Sequence, residues 1–342
     1  MALWTDIIDP ATLTGYARAS LADYEARRGT LARWLPNREV PDISVRFVAG
    51  SAGLVDIADF RAFDAEPTIG KGPAGKRITL ELPALGQNIP VSEYNQLRAR
   101  NANLSDETAL STIRRTTDVV VRAVSDAIER LRGTVLQTGK ATVTGFMDDD
   151  FGRAAGHTVT AGALWSVVGT DALGDLTTWS DTYRDANGDS PGAIVMSTRV
   201  LRAMANLTQF KTQMLNSASR PATVLNVQDT VQAAGLPTIY VYDRRVSVAG
   251  VSTKVLADDR VLLLPAPVDT DDWQGTDLGA TFWGQTLTSS APGWGIEESE
   301  QPGLVTGVYR GEKPPMIAEV VSDAIALPVL ANANLTFASD VL

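Results

Sequence analysis

The chain has no cysteine and a single histidine, His157, among its 342 residues. The first absence excludes disulfides, thiolate nucleophiles and zinc–thiolate centres. The second removes most histidine-built metal sites and leaves one residue to serve as the base of a serine triad. No apolar run approaches the roughly 20 residues that a membrane-spanning helix needs, so no membrane contact is expected. The start, Met1-Ala2-Leu3-Trp4-Thr5-Asp6, lacks the basic residues and apolar core of a signal peptide. A reducing cytoplasm is the expected place of manufacture and assembly.

Positive charge is also in short supply, with 30 Lys and Arg against 40 Asp and Glu and a formal net charge of −10. Such a surface does not wrap nucleic acid by neutralising phosphates. If DNA is nearby, something other than this surface must hold it. Apolar residues make up 44% of the chain, enough for a sizeable core. The length allows two domains, or one body with elaborations.

What is present is organised around residues 105–139. Leu110, Ile113, Thr117, Val120, Val121, Val124, Ile128, Leu131 and Val135 recur at steps of three and four, the stripe of a long amphipathic helix. The opposite face carries Arg114, Asp118, Arg122, Asp126 and Arg130, an i,i+4 ladder worth roughly 0.2–0.5 kcal/mol per rung in an isolated helix. Ser105, Asp106 and Glu107 suit its start, and Gly133 or Gly139 its end. Such a helix is about 40–50 Å long. A globule of this chain length has a diameter of about 50 Å, so one helix spans the body and other parts hang from it.

Before it, a helix over about Pro10–Ala26 precedes a strand in Val40–Val48. Arg18, Arg27, Arg28, Arg33, Arg38 and Arg46 suit either a solvated surface or an arm lying across an acidic neighbour. Residues 51–97 read as a two-stranded flap, with alternation through Ile78, Leu80 and Leu82. Its basic tip, Gly70 to Arg77, almost spells a phosphate-binding loop. Arg77, however, replaces the required Ser or Thr, and a strand rather than a helix follows. A hairpin turn is the better reading.

After the long helix, Asp148-Asp149-Asp150 and Asn187-Gly188-Asp189 lack the alternate-position ligands and the distal glutamate of a calcium loop, and both read as solvated turns. His157 has no nucleophile elbow near it and reads as a surface or hydrogen-bonded residue. From Gly192 the pattern becomes α/β-like. Strand Ala193–Met196 is followed by a helix capped by Ser197 or Thr198, a helix over Val227–Ala234, and strands at 236–243 and 261–265 flanking a hairpin at Ala249-Gly250. Residues 265–315 are acidic and turn-rich. Trp273, Trp283 and Trp294 there read as anchors that pack loops onto the body or onto a neighbouring subunit. Pro315 to Leu330 reads as a strand closing the main body, and 332–342 as a trailing end. No catalytic, metal-binding or cofactor-binding set emerges.

The order is therefore arm, glycine-tipped flap, long helix, small α/β unit and returning strand. The residues that carry a resemblance are Leu80-Glu81-Leu82-Pro83-Ala84-Leu85, Asp106-Glu107-Thr108-Ala109-Leu110, Thr178-Trp179-Ser180, Ala193-Ile194-Val195-Met196, Lys313-Pro314-Pro315-Met316-Ile317 and Ala326-Leu327-Pro328-Val329-Leu330. In that order the chain resembles the major capsid proteins of tailed bacteriophages, and within them the lambda-type coat protein family. The resemblance implies an α+β protein of the Hong Kong 97-type capsid fold. Its parts would be an N-terminal arm (1–50), an extended flap or E-loop (51–97), a peripheral domain (98–191 and 301–342, with the spine helix at 105–138) and an axial domain (192–300). Residues 145–165 have no place in that plan.

The implied function is that of a non-enzymatic subunit of an icosahedral shell, assembling with itself into hexamers and pentamers around double-stranded DNA that it does not bind by sequence. Scaffold, portal and decoration proteins are the implied further partners. Arg27, Arg28, Lys71, Lys76, Arg77, Trp273, Trp283 and Trp294 are the expected inter-subunit contacts. Gly133 and Gly139 are the expected hinge positions. Some coats of this fold join a flap lysine covalently to a neighbour's asparagine; Lys71 or Lys76 with Asn332 or Asn334 would be the pair here, although the lambda-type family does not rely on such a link. The rival readings are an encapsulating compartment that houses enzyme cargo, an Asp-dependent metal hydrolase, and a tail component.

Overall fold

The structure is a computed structural model describing residues 2–28, 30–49, 76–94, 96, 106–143, 145–212, 222–270 and 272–342. The periodicity at its centre yields helix α2, Asp106–Thr138, 33 residues long; α1, Pro10–Arg28, lies against it. The apolar stripe of α2 is buried at Ile113, Val120, Val121, Val124, Ile128 and Val135. The helix stops at Gly139, whose φ of 70° is open to glycine at little cost and whose N–H reaches the Val135 carbonyl at 2.8 Å. Gly133, the alternative stop, stays inside the helix. A Cβ there would stand 2.6 Å from the carbonyl oxygen of Val255, so a passing backbone accounts for this glycine.

Two sheets are built around α2. The larger has six strands, with β1 (Ala2–Leu3), β15 (Val305–Arg310), β16 (Ala318–Leu330), β14 (Gly279–Gly284) and β2 (Asn37–Glu39) in that order, and β5 (Ala84–Val91) paired to β16 as well. β16 is the long closing strand expected near the C-terminus. It pairs with β15 through 318–323, with β14 through 325–330, and with β5 through 318–325. The second sheet runs β10 (Thr238–Val241), β9 (Ala193–Met196), β13 (Arg260–Leu264), β17 (Phe337–Asp340), β8 (Thr158–Thr160). Its neighbouring strands β9 and β13 are short and apolar because both faces are covered. Val195 and Leu262 face one core with Val135 and Leu136 of α2. Ile194, Met196, Val261 and Leu263 face another, with Trp165, Leu176, Trp179, Phe210 and Val227. Side chains alternate in direction along a strand, so each strand feeds both cores.

Four expectations are corrected here. Residues 2–39 are not a free arm: β1 and β2 are strands of the main sheet, and Leu13, Ala17, Leu31 and Leu35 are fully buried in this chain's own core. The flap's strands are β3 (Ser44–Ala49) and β4 (Lys76–Glu81), paired to each other, while β5, expected within the flap, belongs to the main sheet. Residues 50–75, including the glycine-rich tip, lie outside the described residues. The last residues do not trail off: β17 sits between β13 and β8, with Phe337 and Val341 buried. Finally, Asp148–Asp150 is not a turn but most of β7 (Met147–Asp150), paired with β6 (Lys140–Val143), and residues 158–160 supply an edge of the second sheet.

Candidate functional site

The i,i+4 ladder of α2 does not pair along the helix, and among the described residues no ion pair joins its members. The ladder face is where α1 packs, so these charges meet tyrosines instead. Tyr16 Oη and Ser20 Oγ donate to Asp118 at 3.1 and 2.8 Å, and Tyr24 Oη donates to Asp126 at 3.2 Å. The Arg114 guanidinium lies 5.6 Å from the Tyr16 ring centroid, and that of Arg122 lies 5.6 Å from that of Tyr24. One unit of tyrosine, aspartate and arginine thus occurs twice, eight residues apart on both helices. Between the helices runs an open groove of about 410 Å³.

Towards the end of α2 lies a buried polar junction. Arg132 and Glu129 are fully buried, and Glu25, from the last turns of α1, is nearly so. Arg132 Nη1 donates to Glu25 Oε1 at 2.7 Å, Nη2 to Asn37 Oδ1 at 2.6 Å and Nε to Thr281 Oγ1 at 2.9 Å. Glu129 accepts from Thr30 Oγ1 (2.7 Å), the Leu31 N–H (2.8 Å) and Tyr242 Oη (2.5 Å). Asn37 closes the ring by donating to Glu25 at 2.8 Å and accepting from Trp283 Nε1 at 2.9 Å. Arg244, after β10, reaches Asp126 at 2.8 Å and stacks over Tyr24.

Burial opposes the charge on Arg132, but Glu25 and Glu129 outweigh it and hold its pKa above the ordinary arginine value. The same balance, with Glu129 and Asp126 as partners, raises Arg244. Burial, and then Glu129, push the Tyr242 hydroxyl far above its ordinary value, so it remains a donor. The junction holds no free nucleophile and no open coordination position. It ties α1, β2, β14 and α2 to the loop after β10, clamping the main sheet to the second. Sequence reading missed it, although Glu129 and Arg132 beside Ile128 on a buried stripe were a visible signal.

The expected contact residues are dispersed. Arg27 is exposed and pairs with Asp23 at 2.8 Å. Arg28 ends α1; Lys76 and Arg77 open β4; Trp273 opens a short turn; their side chains, and the whole of Lys71, lie outside the described residues. Trp283 and Trp294 are corrected from inter-subunit contacts to anchors within the chain, at 3% and 6% exposure. His157 is buried between the Tyr183 and Phe337 rings, with Nδ1 3.3 Å from the Thr336 carbonyl. Asn332 is buried at the start of a turn whose Asn334 N–H it accepts, so a lysine from a neighbour could not reach it without local opening.

The sequence profile of the Phage major capsid protein E family matches residues 35–275. The chain belongs to that family. No curated protein matches it. Among solved structures, it is similar to a protein of an Escherichia coli CFT073 prophage, named for a capsid role, with 15% identity and a TM-score of 0.64 over 98% of this chain and 99% of that one. It is also similar to a phage-related protein of Bordetella bronchiseptica RB50, with 16% identity and a TM-score of 0.61 over 99% and 98%. At identities this low the structural likeness establishes the fold alone, and the fold of this phage major capsid protein is the Hong Kong 97 type. Its role is that of a structural subunit of the phage capsid, and its place is the virion.

Proposed function

We propose that copies of this chain close into hexamers and pentamers that enclose double-stranded DNA, with the β3–β4 flap of each subunit laid over a neighbour. The supporting observation is that β3 and β4 pair only with each other among the described residues, rooted in the body through Val45, Leu80 and Leu82. A lone two-stranded ribbon is at best marginally stable in water. Ordering it costs about 1–2 kcal/mol per residue, which contacts from another copy can offset. The net charge of −10 suits a container wall that does not adsorb its contents. On this reading the shell is non-enzymatic and is assembled in the host cytoplasm. Its further partners are scaffold, portal and decoration proteins.

The test is electron microscopy of the expressed chain, alone and within infected cells. Closed shells with nuclease-protected DNA in the phage context are expected. Open rings or tubes would overturn the proposal, as would shells that always contain an enzyme.

A further inference from the structure

We propose that the arginine row on α2 is a docking face for a second copy of this chain, which meets it through its Glu297-Glu298-Glu300 turn. The inference rests on the shell reading above and names one of the contacts that reading requires.

Arg114, Arg115, Arg122 and Arg130 are all exposed on α2. Among the described residues none of them forms an ion pair, because Asp118 is taken up by Tyr16 and Ser20, and Asp126 by Tyr24 and Arg244. Arg114 and Arg122 are held over tyrosine faces, which reduces the entropy lost when a carboxylate arrives. Eight residues of helix separate them by about 12 Å. Arg122 lines the groove between the helices, together with Tyr16 and Tyr24.

The complementary group lies elsewhere on the same chain. Glu297, Glu298 and Glu300 are exposed on one short turn, and among the described residues none of the three forms an ion pair or side-chain hydrogen bond, although Glu300 lies within the field of Arg18. Two other acidic stretches are partly engaged: in Asp148–Asp150, Asp148 is bound to Thr142 and Asp150 to Lys140, and after Asp269 the Asp272 carboxylate accepts from the Gly275 N–H. Within one chain the row and the turn are kept apart by α1. Tyr16, Ser20 and Tyr24 face α2, whereas Arg18, about 200° around the helix from Tyr16 at 100° per residue, donates to the carbonyls of Pro302 and Leu304 beside the glutamate turn. A contact between different patches on two copies is heterologous, the kind that builds closed rings. Subunits of charge −10 repel, and opposite charges meeting where they touch offset that repulsion.

The absence of cysteine makes the test clean. A chain carrying Arg122→Cys and Glu298→Cys, assembled and then oxidised, should give a ladder extending beyond dimer on a non-reducing gel, whereas either single variant should give no ladder. Closed particles that run only as monomer would overturn the proposal, as would dimers from Arg122→Cys alone. In a second arm, Arg114→Glu with Arg122→Glu should raise the concentration needed for assembly at least about tenfold, equivalent to ~1.4 kcal/mol. Adding Glu297→Lys and Glu298→Lys to that chain should restore assembly, with the melting of unassembled subunits unchanged throughout. Unimpaired assembly with loss of DNA retention would assign the row to nucleic acid instead and overturn the proposal. A wild-type chain that forms no shells would defeat the capsid reading itself, which is a separate outcome.

Discussion

Arg132 Nη1 lies 2.7 Å from Glu25 Oε1, and both side chains are withdrawn from solvent. The two residues are 107 positions apart. This contact fixes α1 to the spine helix at the level where the two sheets meet. It explains why the N-terminal residues belong to the body and are not a detachable arm.

The first prediction concerns this pair. Breaking a buried, hydrogen-bonded ion pair from one side strands the other charge, at a cost of about 3–5 kcal/mol. Arg132→Ala leaves Glu25 with no cation and only the Asn37 amide as donor, and leaves Arg244 as the one cation near Glu129, so chemical denaturation of the unassembled subunit should show a loss of that size. An unchanged midpoint would mean that the junction is open to water in solution.

Gly133 supplies a second prediction. Alanine is ordinarily the better helix former by about 1 kcal/mol. Here, however, its Cβ would stand 2.6 Å from both the carbonyl oxygen and Cγ1 of Val255. Overpacking of this kind costs typically ~1–3 kcal/mol, so Gly133→Ala should lower the thermal midpoint. Val255→Ala should not rescue it, because the carbonyl oxygen remains. A rise in the midpoint would show instead that this position is a hinge with room around it.

How much of this was legible in the sequence depended on how locally each element is encoded. The spine helix was readable because 33 residues repeat a single period. Ala193–Met196 and its Ser197 cap were readable for a similar reason: a short apolar run is followed by a capping side chain, which here accepts from the Val200 N–H. β17 was not readable. Phe337-Ala338-Ser339-Asp340 has little strand character of its own, and its place between β13 and β8 comes from partners that begin 77 and 179 residues earlier, at Arg260 and Thr158. The α2 ladder was misread because i,i+4 spacing fits intrahelical pairs and cross-helix contacts equally well. Only the position of α1 decides between them.

The third prediction follows from β17. Ending the chain at Thr336 removes a strand bonded on both edges and uncovers Val261 and Leu263. Limited proteolysis and circular dichroism of the truncated chain should show the second sheet unfolded. If the truncated chain kept a native melting profile, β17 would be dispensable to the core.

His157 gives a pH dependence with a definite sign. Burial, its largest cause, lowers the folded-state pKa below the ordinary 6.5; Arg153 adds to this, and the backbone at Thr336 and Asn334 opposes it. The unfolded chain therefore takes up a proton first as pH falls. The contribution of neutral His157 is fully present above pH 6.5 and is lost as pH falls from there to the lowered folded value. The difference in stability between wild type and His157→Gln should shrink across that window and stay level above it. Parallel curves would show that the imidazole is already solvated.

Trp294 separates an internal anchor from an inter-subunit contact. Its indole is 6% exposed, lies 6.3 Å from the Tyr309 ring and sits directly on Gly307. Truncating a buried tryptophan costs about 3–5 kcal/mol, so Trp294→Ala should destabilise the unassembled subunit by that order. A residue used only between subunits would leave the subunit's melting unchanged and affect assembly alone. Gly307→Ala pushes a Cβ to 2.4 Å from the indole Cη2 and should destabilise on its own. In the double variant the indole is gone and the new methyl group occupies part of the space it leaves. The two losses should therefore combine to less than their sum, a coupling that distant sites do not show. Additive losses would mean that the loop carrying Trp294 does not rest on β15 in solution.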